Sequence, residues 1–176
     1  QHFDEVHELV EEKDLCASSG RYVGTLESKY PWIFYLDGDM EICHDFFSLV
    51  AGLPDVPADW VGIVGGYVHR FDNGTTAFQS FAGGVLKSEW AASYGGAVIL
   101  RREAVLKAGN WSPGVYGKEE LELYARMGNG KRVVRYFSKA MIYHYSEAYT
   151  RWELFLRLLY PSRGMGKVFY GYGQSL

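Results

Sequence analysis

Trp32-Ile33-Phe34-Tyr35-Leu36-Asp37-Gly38-Asp39-Met40 is the stretch on which the reading of the fold turns. Five consecutive apolar or aromatic residues follow Pro31 and stop at Asp37, a run that predicts a short strand buried on both faces inside a mostly parallel sheet. Gly38 lets the backbone turn between the two carboxylates. Asp37 and Asp39 can then both project beyond the strand's carboxyl end, where open α/β sheets bind their ligands. Two hard oxygen donors this close suit Mg²⁺ or Mn²⁺, an ion commonly shared with substrate phosphates. The same three residues also suit a solvated turn, since Asp and Gly are common there.

Outward from this stretch the chain alternates helices and strands. On the amino-terminal side, residues 2–13 read as an amphipathic helix carrying His2 and His7 on its surface, Ser18-Ser19-Gly20 as a loop, and residues 22–28 as a short helix leading into the strand. On the other side, residues 44–51 read as a helix with Phe46, Phe47, Leu49 and Val50 toward the core, ended by Gly52-Leu53-Pro54. Residues 60–68 are β-branched and glycine-rich, Asp72-Asn73-Gly74 is a turn, and residues 75–81 return as a partner strand, which predicts a hairpin at the sheet's edge. Gly83-Gly84 fits no phosphate-loop pattern and reads as a turn. Gly95-Gly96 runs into a buried strand that hands over to a helix at 102–108, and glycines there allow close approach of a ligand or another backbone. A helix at 118–127 opens with Glu119 and Glu120, strands follow at 132–137 and 140–145, and a helix at 149–160 precedes a tail with no clear period.

Composition narrows the function classes. The chain has 176 residues, 48% of them hydrophobic and 22% charged, which fits a single globular domain over 1–176 without disulfide or metal staples. A formal net charge of −3 argues against a nucleic-acid partner, because no excess of Lys and Arg is present to neutralise phosphates. Cys16 and Cys43 fit no metal-binding spacing and read as plain thiols in a reducing compartment. No apolar run approaches the ~20 residues of a membrane span.

Asp37 and Asp39, Glu119 and Glu120, and His144 all fall at element ends, and a mostly parallel sheet would let them converge on one rim. A metal bridging a diphosphate, a histidine completing its shell and a carboxylate acting as general base would together perform group transfer from a nucleotide-linked donor. Each residue also has an ordinary structural reading. Acids in a first helical turn complement the macrodipole, and a histidine after a strand can simply be structural.

With these motifs in order, residues 20–160 resemble the family 2 glycosyltransferases of GT-A fold. Residues 32–40 look like that family's strand and Asp-x-Asp motif, and 61–74 like the strand and turn that follow. Residues 93–111 are similar to its glycine pair, strand and Arg-Arg-Glu helix start. Lys118-Glu119-Glu120-Leu121-Glu122-Leu123 with Arg126 resembles its acidic helix motif, which usually reads Gly-Glu-Asp-x-Asp-Leu-x-x-Arg. His144 falls where these enzymes often carry a late-strand histidine.

The resemblance implies a GT-A-like, nucleotide-diphospho-sugar transferase fold, an α/β domain whose mixed, mostly parallel sheet is flanked by helices. It implies a metal-dependent inverting glycosyltransferase using Mn²⁺ or Mg²⁺, a UDP-sugar donor and a glycan or lipid-linked acceptor in surface polysaccharide or glycoconjugate synthesis. Asp39 would hold the metal, with His144 as a further ligand and Asp37 near the donor's ribose or the metal's water shell. Glu120 would be the general base, Glu119, Glu122 and Arg126 would shape the acceptor side, and Gly95 and Gly96 would let a sugar lie against backbone. A cytoplasmic location, at the membrane surface if the 149–160 helix lies on lipid rather than on the sheet, and a homo-oligomer covering an exposed sheet edge complete these expectations. Two departures stand out: Glu120 replaces the usual Asp and Lys118 the usual Gly. Only 36 residues precede Asp37, so the resemblance also implies an N-terminally shortened domain lacking most of the nucleotide-binding half. A second reading is therefore a non-catalytic remnant acting as a carbohydrate-binding or interaction module. A haloacid-dehalogenase-like phosphatase is set aside because Glu41 stands where that family calls for Thr or Val.

Overall fold

Trp60–Phe71 forms β3, the strand on which the sheet is assembled, and Val61, Ile63, Val64 and Tyr67 within it are buried. The computed structural model describes residues 16–53, 56–81, 89–91, 93–115, 117–127 and 133–146. The expected helices at 2–13 and 149–160, the Gly83-Gly84 turn and the tail lie outside them. Along one side, β3 pairs in parallel with β6 (Val133–Ser146). On its other side it pairs antiparallel with β5 (Val98–Arg101) near its start and β4 (Thr76–Gln79) near its end. β1 (Trp32–Tyr35) joins β5 and β2 (Met40–Ile42) joins β6, both antiparallel, giving the order β1-β5-β3-β6-β2.

The protein is thus mixed α/β with a mixed sheet flanked by helices, and the expectation of a mostly parallel sheet is corrected. Among the described strands only β3 and β6 run parallel. β1 is not a central strand buried on both faces. It sits at the end of the strand order, with Trp32, Ile33 and Phe34 half-buried and Leu36 exposed. Its apolar run is satisfied differently: the Arg101 guanidinium lies over Trp32, with 4.4 Å to the ring centroid, and Phe34 meets Phe47 edge-on at 4.9 Å. An apolar run reports burial; it carries no information on the direction of its neighbour.

The strand order forces the sheet to curl. β1 and β2 end the order on opposite sides, four strand spacings or ~19 Å apart if flat, whereas the five residue steps from Tyr35 to Met40 reach at most ~17 Å fully extended. The chain between them is also turned, with the Met40 N–H donating to the Asp37 carbonyl at 3.2 Å. Asp37-Gly38-Asp39 therefore closes the sheet's two ends toward each other, above the carboxyl end of β3.

Local signals placed the remaining elements well. α2 (His44–Ala51) buries Phe46 completely, the hairpin turns at Gly74 with φ +79°, and α3 (Arg102–Lys107) and α4 (Glu119–Met127) lie where read, but the hairpin is not at the sheet's edge as expected: its first strand, β3, is the central one, paired on both sides. Two further readings change. α1 (Ala17–Glu27) begins at Ser18-Ser19-Gly20 instead of following it, and the buried Ser18 hydroxyl donates to the Val115 carbonyl at 3.1 Å. The two strands expected at 132–137 and 140–145 are replaced by one strand, β6 (Val133–Ser146), whose pairing shifts register opposite Gly65-Gly66. A Cβ on Gly65 would come within 2.7 Å of the Lys139 carbonyl and 2.6 Å of the Phe46 ring, so glycine lets the irregularity pack. Cys16 and Cys43 are free thiols, and no helix among the described residues is long and apolar enough to cross a membrane.

A candidate metal and sugar-nucleotide site

Two polar networks meet at the Asp37-Gly38-Asp39 turn. The first is centred on Arg21 of α1, which holds Asp37 Oδ1 at 2.5 Å with one guanidinium nitrogen and Glu119 Oε1 at 2.8 Å with another. The Arg21 guanidinium also lies over the Trp111 ring at 4.9 Å. Arg21 and Glu119 side chains are each only 9% exposed, so this is a largely desolvated network tying α1, the β1 turn and the start of α4 together. Gly96 completes the seat: a Cβ there would fall inside the Asp37 carboxylate. Its neighbour Gly95 lies against the Tyr67 ring, where a Cβ would approach to 3.1 Å.

The second network is built by strand register. Met40 pairs with His144 in the β2–β6 ladder, and the Tyr145 N–H donates to the Asp39 carbonyl at 3.0 Å, which fixes Asp39 beside His144. His144 Nε2 stands 3.0 Å from Asp39 Oδ2. Directly across the β3–β6 ladder is His69, whose Nδ1 is 2.9 Å from His144 Nδ1 and whose Nε2 is 2.7 Å from Gln79 Oε1 on β4. Asp39 is 57% exposed, so this side opens to solvent.

Glu120 lies in the first turn of α4, with Lys118 before the helix at φ +61°. Burial raises the Glu120 carboxyl above its ordinary range and the neighbouring Glu119 charge adds to this, against the Glu120 backbone N–H, Lys118 and Arg21. Tyr67 exchanges two hydrogen bonds with Ala97, donating to its carbonyl at 2.8 Å and accepting from its N–H at 2.5 Å. Burial raises the Tyr67 hydroxyl, and the charges of both Asp37 and Glu120 raise it further. Glu120 also raises the fully buried Tyr94, whose hydroxyl has no hydrogen-bond partner among the described residues. Asp37 and Glu120 thus both act on Tyr67, and Arg21 acts on Tyr67 and Tyr94 alike.

Glu122 and Arg126 sit elsewhere on α4. Glu122 is wholly buried and paired with Arg126, Nε to Oε1 at 2.9 Å and Nη2 to Oε2 at 2.7 Å, while Ser112 donates to Oε1 at 3.1 Å. Arg126 also donates to the Ala108 carbonyl, so this pair fastens α4 to the turn after α3.

The donor set suits a divalent ion that keeps open positions for substrate. Neighbouring ligands of an octahedral ion with ~2.1 Å bonds lie ~3.0 Å apart, and His144 Nε2 and Asp39 Oδ2 are 3.0 Å apart. Among the described residues no three His, Cys, Asp or Glu side chains converge to hold a metal ion. Asp37, engaged by Arg21, adjoins this pair through Gly38.

Sequence reading missed Arg21, His69, Gln79, Tyr67 and Tyr94. Arg21 lies in a segment without clear periodicity, and His69 becomes visible only once β3 and β6 are in register. No protein-family model and no curated protein matches this chain.

Proposed function

We propose that this chain is a metal-dependent inverting glycosyltransferase of GT-A type. It moves a sugar from a nucleoside-diphosphate donor, a UDP-sugar, to a hydroxyl of a glycan or lipid-linked acceptor. The observation that carries the reading is the meeting of Asp39 with His144, 105 positions apart in sequence, beside the Asp37–Arg21 network that leads to Glu119, the neighbour of Glu120. Asp39 and His144 would hold Mn²⁺ or Mg²⁺, and the ion would neutralise charge on the departing diphosphate. The imidazole nitrogen makes the pair softer than an all-oxygen set and favours Mn²⁺ of the two.

The chain's own groups supply the rest. Glu120, raised by burial, is a better base than an ordinary carboxylate and takes the proton from the acceptor hydroxyl. The acceptor oxygen forms its bond to the anomeric carbon as that carbon's bond to the diphosphate breaks on the opposite face, inverting the configuration. Arg21 holds Asp37 and, through Glu119, fixes the start of α4. A groove of about 440 Å³ between α1 and β1, lined by Gly20, Gly24, Phe34 and Asp37, reaches the turn from the side and has room for the nucleoside.

Release of UDP from a panel of UDP-sugars, with and without simple glycan acceptors, tests this. Glu120→Gln is expected to lower turnover about 100-fold or more while donor binding persists. Equal turnover in Glu120→Gln would overturn the assignment of the base. Glycan binding with no turnover of any donor would favour a non-catalytic binding module.

A further inference from the structure

Proton bookkeeping along the histidine network singles out two residues that touch neither metal nor substrate. Gln79 Oε1 can only accept, so the His69 Nε2 facing it at 2.7 Å carries a proton. Neutral His69 then has a bare Nδ1, which faces His144 Nδ1 at 2.9 Å, so the proton between them belongs to His144. That places the His144 lone pair on Nε2, the atom 3.0 Å from Asp39 Oδ2. That order sets two acceptors face to face and needs a cation between them, whereas the opposite order, reached if the Gln79 amide turns over, satisfies every contact without one. The amide NH₂ would donate to His69, His69 to His144, and His144 Nε2–H to Asp39, closing the site with a hydrogen bond.

We propose that His69 and Gln79 are positioning residues that set the tautomer of His144. With Gln79 accepting, the relay presents Nε2 and the Asp39 carboxylate together as ligands for a divalent cation; with Gln79 donating, it withdraws them. The frame is suited to the task. His69 is held between the rings of Phe71, stacked at 6.2 Å, and Tyr67, at 6.4 Å, and pairs with His144 in the central parallel ladder. Gln79, by contrast, is exposed on β4 and free of the core. Metal-ligating histidines commonly donate their second ring N–H to a fixed acceptor, and here the acceptor is another histidine whose own proton is set one step further out.

This rests on the reading of Asp39 and His144 as the metal pair, and the experiment separates the two. Mn²⁺ is titrated into the full chain in the presence of UDP, with free Mn²⁺ read by electron paramagnetic resonance. The variants are Asp39→Ala, His69→Phe, Gln79→Glu and Gln79→Lys, with both Gln79 changes repeated in the His69→Phe background. Glu can only accept and Lys can only donate at position 79. Gln79→Lys and His69→Phe are expected to weaken Mn²⁺ about 10-fold or more, whereas Gln79→Glu stays at or above wild-type affinity. In the His69→Phe background the two Gln79 variants should agree, because their effect travels through His69 and not through charge alone. Imidazole ¹⁵N shifts of metal-free protein should place the His144 proton on Nδ1 in Gln79→Glu and on Nε2 in Gln79→Lys.

If wild type shows no Asp39-dependent Mn²⁺ binding, the metal reading fails and the relay with it. If wild type binds through Asp39 but Gln79→Glu and Gln79→Lys match in affinity and in ¹⁵N shifts, the relay alone is overturned. The same holds if the two still differ when His69 is gone.

Discussion

Asp37 and Asp39 are separated by one glycine, yet they belong to opposite kinds of surroundings. Asp37 is bound to a buried arginine that is itself shared with Glu119, and Gly96 lets the backbone close on its carboxylate. Asp39 is more exposed and faces a histidine, itself backed by a second histidine and an amide. The first environment sets one largely desolvated guanidinium against two carboxylates, which makes it costly to disturb and rigid. The second has acceptors and ring nitrogens whose proton positions can be rearranged, as the proposed cation site requires. One turn thus joins a structural anchor to the proposed ligand site.

The largest expected effect comes from breaking the anchor. Arg21→Ala leaves Glu119 buried without its cation and Asp37 unpaired, and thermal or urea unfolding should show a loss of about 3 kcal/mol. His144→Ala, removing the partner on the open side, should cost far less stability. Equal losses would erase the distinction between the two halves. Gly96→Ala comes next, because its methyl would have to displace the Asp37 carboxylate, and overpacking of this kind costs about 2 kcal/mol.

Lys118 sharpens the comparison at the start of α4. It occupies a left-handed backbone conformation at φ +61°, a region that glycine enters without steric cost. Lys118→Gly should therefore raise stability by about 1 kcal/mol in a chemical denaturation series, and no gain would mean the backbone there is unstrained.

Glu120 gives the smallest stability effect and one that depends on pH. Its folded pKa is raised, so between the ordinary carboxylate range and the raised value the folded protein holds a proton that the unfolded chain has lost. Stability from this group is highest in acid, falls as pH rises through that window and stays lower above it. Glu120→Gln should match wild type in acid and exceed it at neutral pH, as followed by Tm against pH. A constant difference at every pH would place the burial penalty elsewhere.

The sequence was most legible where chemistry is local. α2, the Asp72-Asn73-Gly74 turn, α3 and α4 carry their own periodicity, turn residues and helix-start acids, and each lies close to where it was read. Strand direction was not legible, since Trp32 to Leu36 records how apolar the surroundings are and not which way the neighbour runs. Ser18-Ser19-Gly20 misled for a related reason: serines are favoured at helix starts as well as in loops, and the choice was made by a distant carbonyl at Val115. In the candidate site, carboxylates at element ends announced themselves, whereas Arg21 and His69 acquire meaning only from partners 10 to 98 residues away.

Calorimetric titration of UDP into the chain with Mn²⁺, repeated without metal and on Asp39→Ala, goes most directly to whether the open half is a sugar-nucleotide site. Binding that requires Mn²⁺ and disappears in a folded Asp39→Ala variant is the expected result. UDP binding indifferent to Mn²⁺ and to Asp39, or no binding by the wild-type chain, would contradict it.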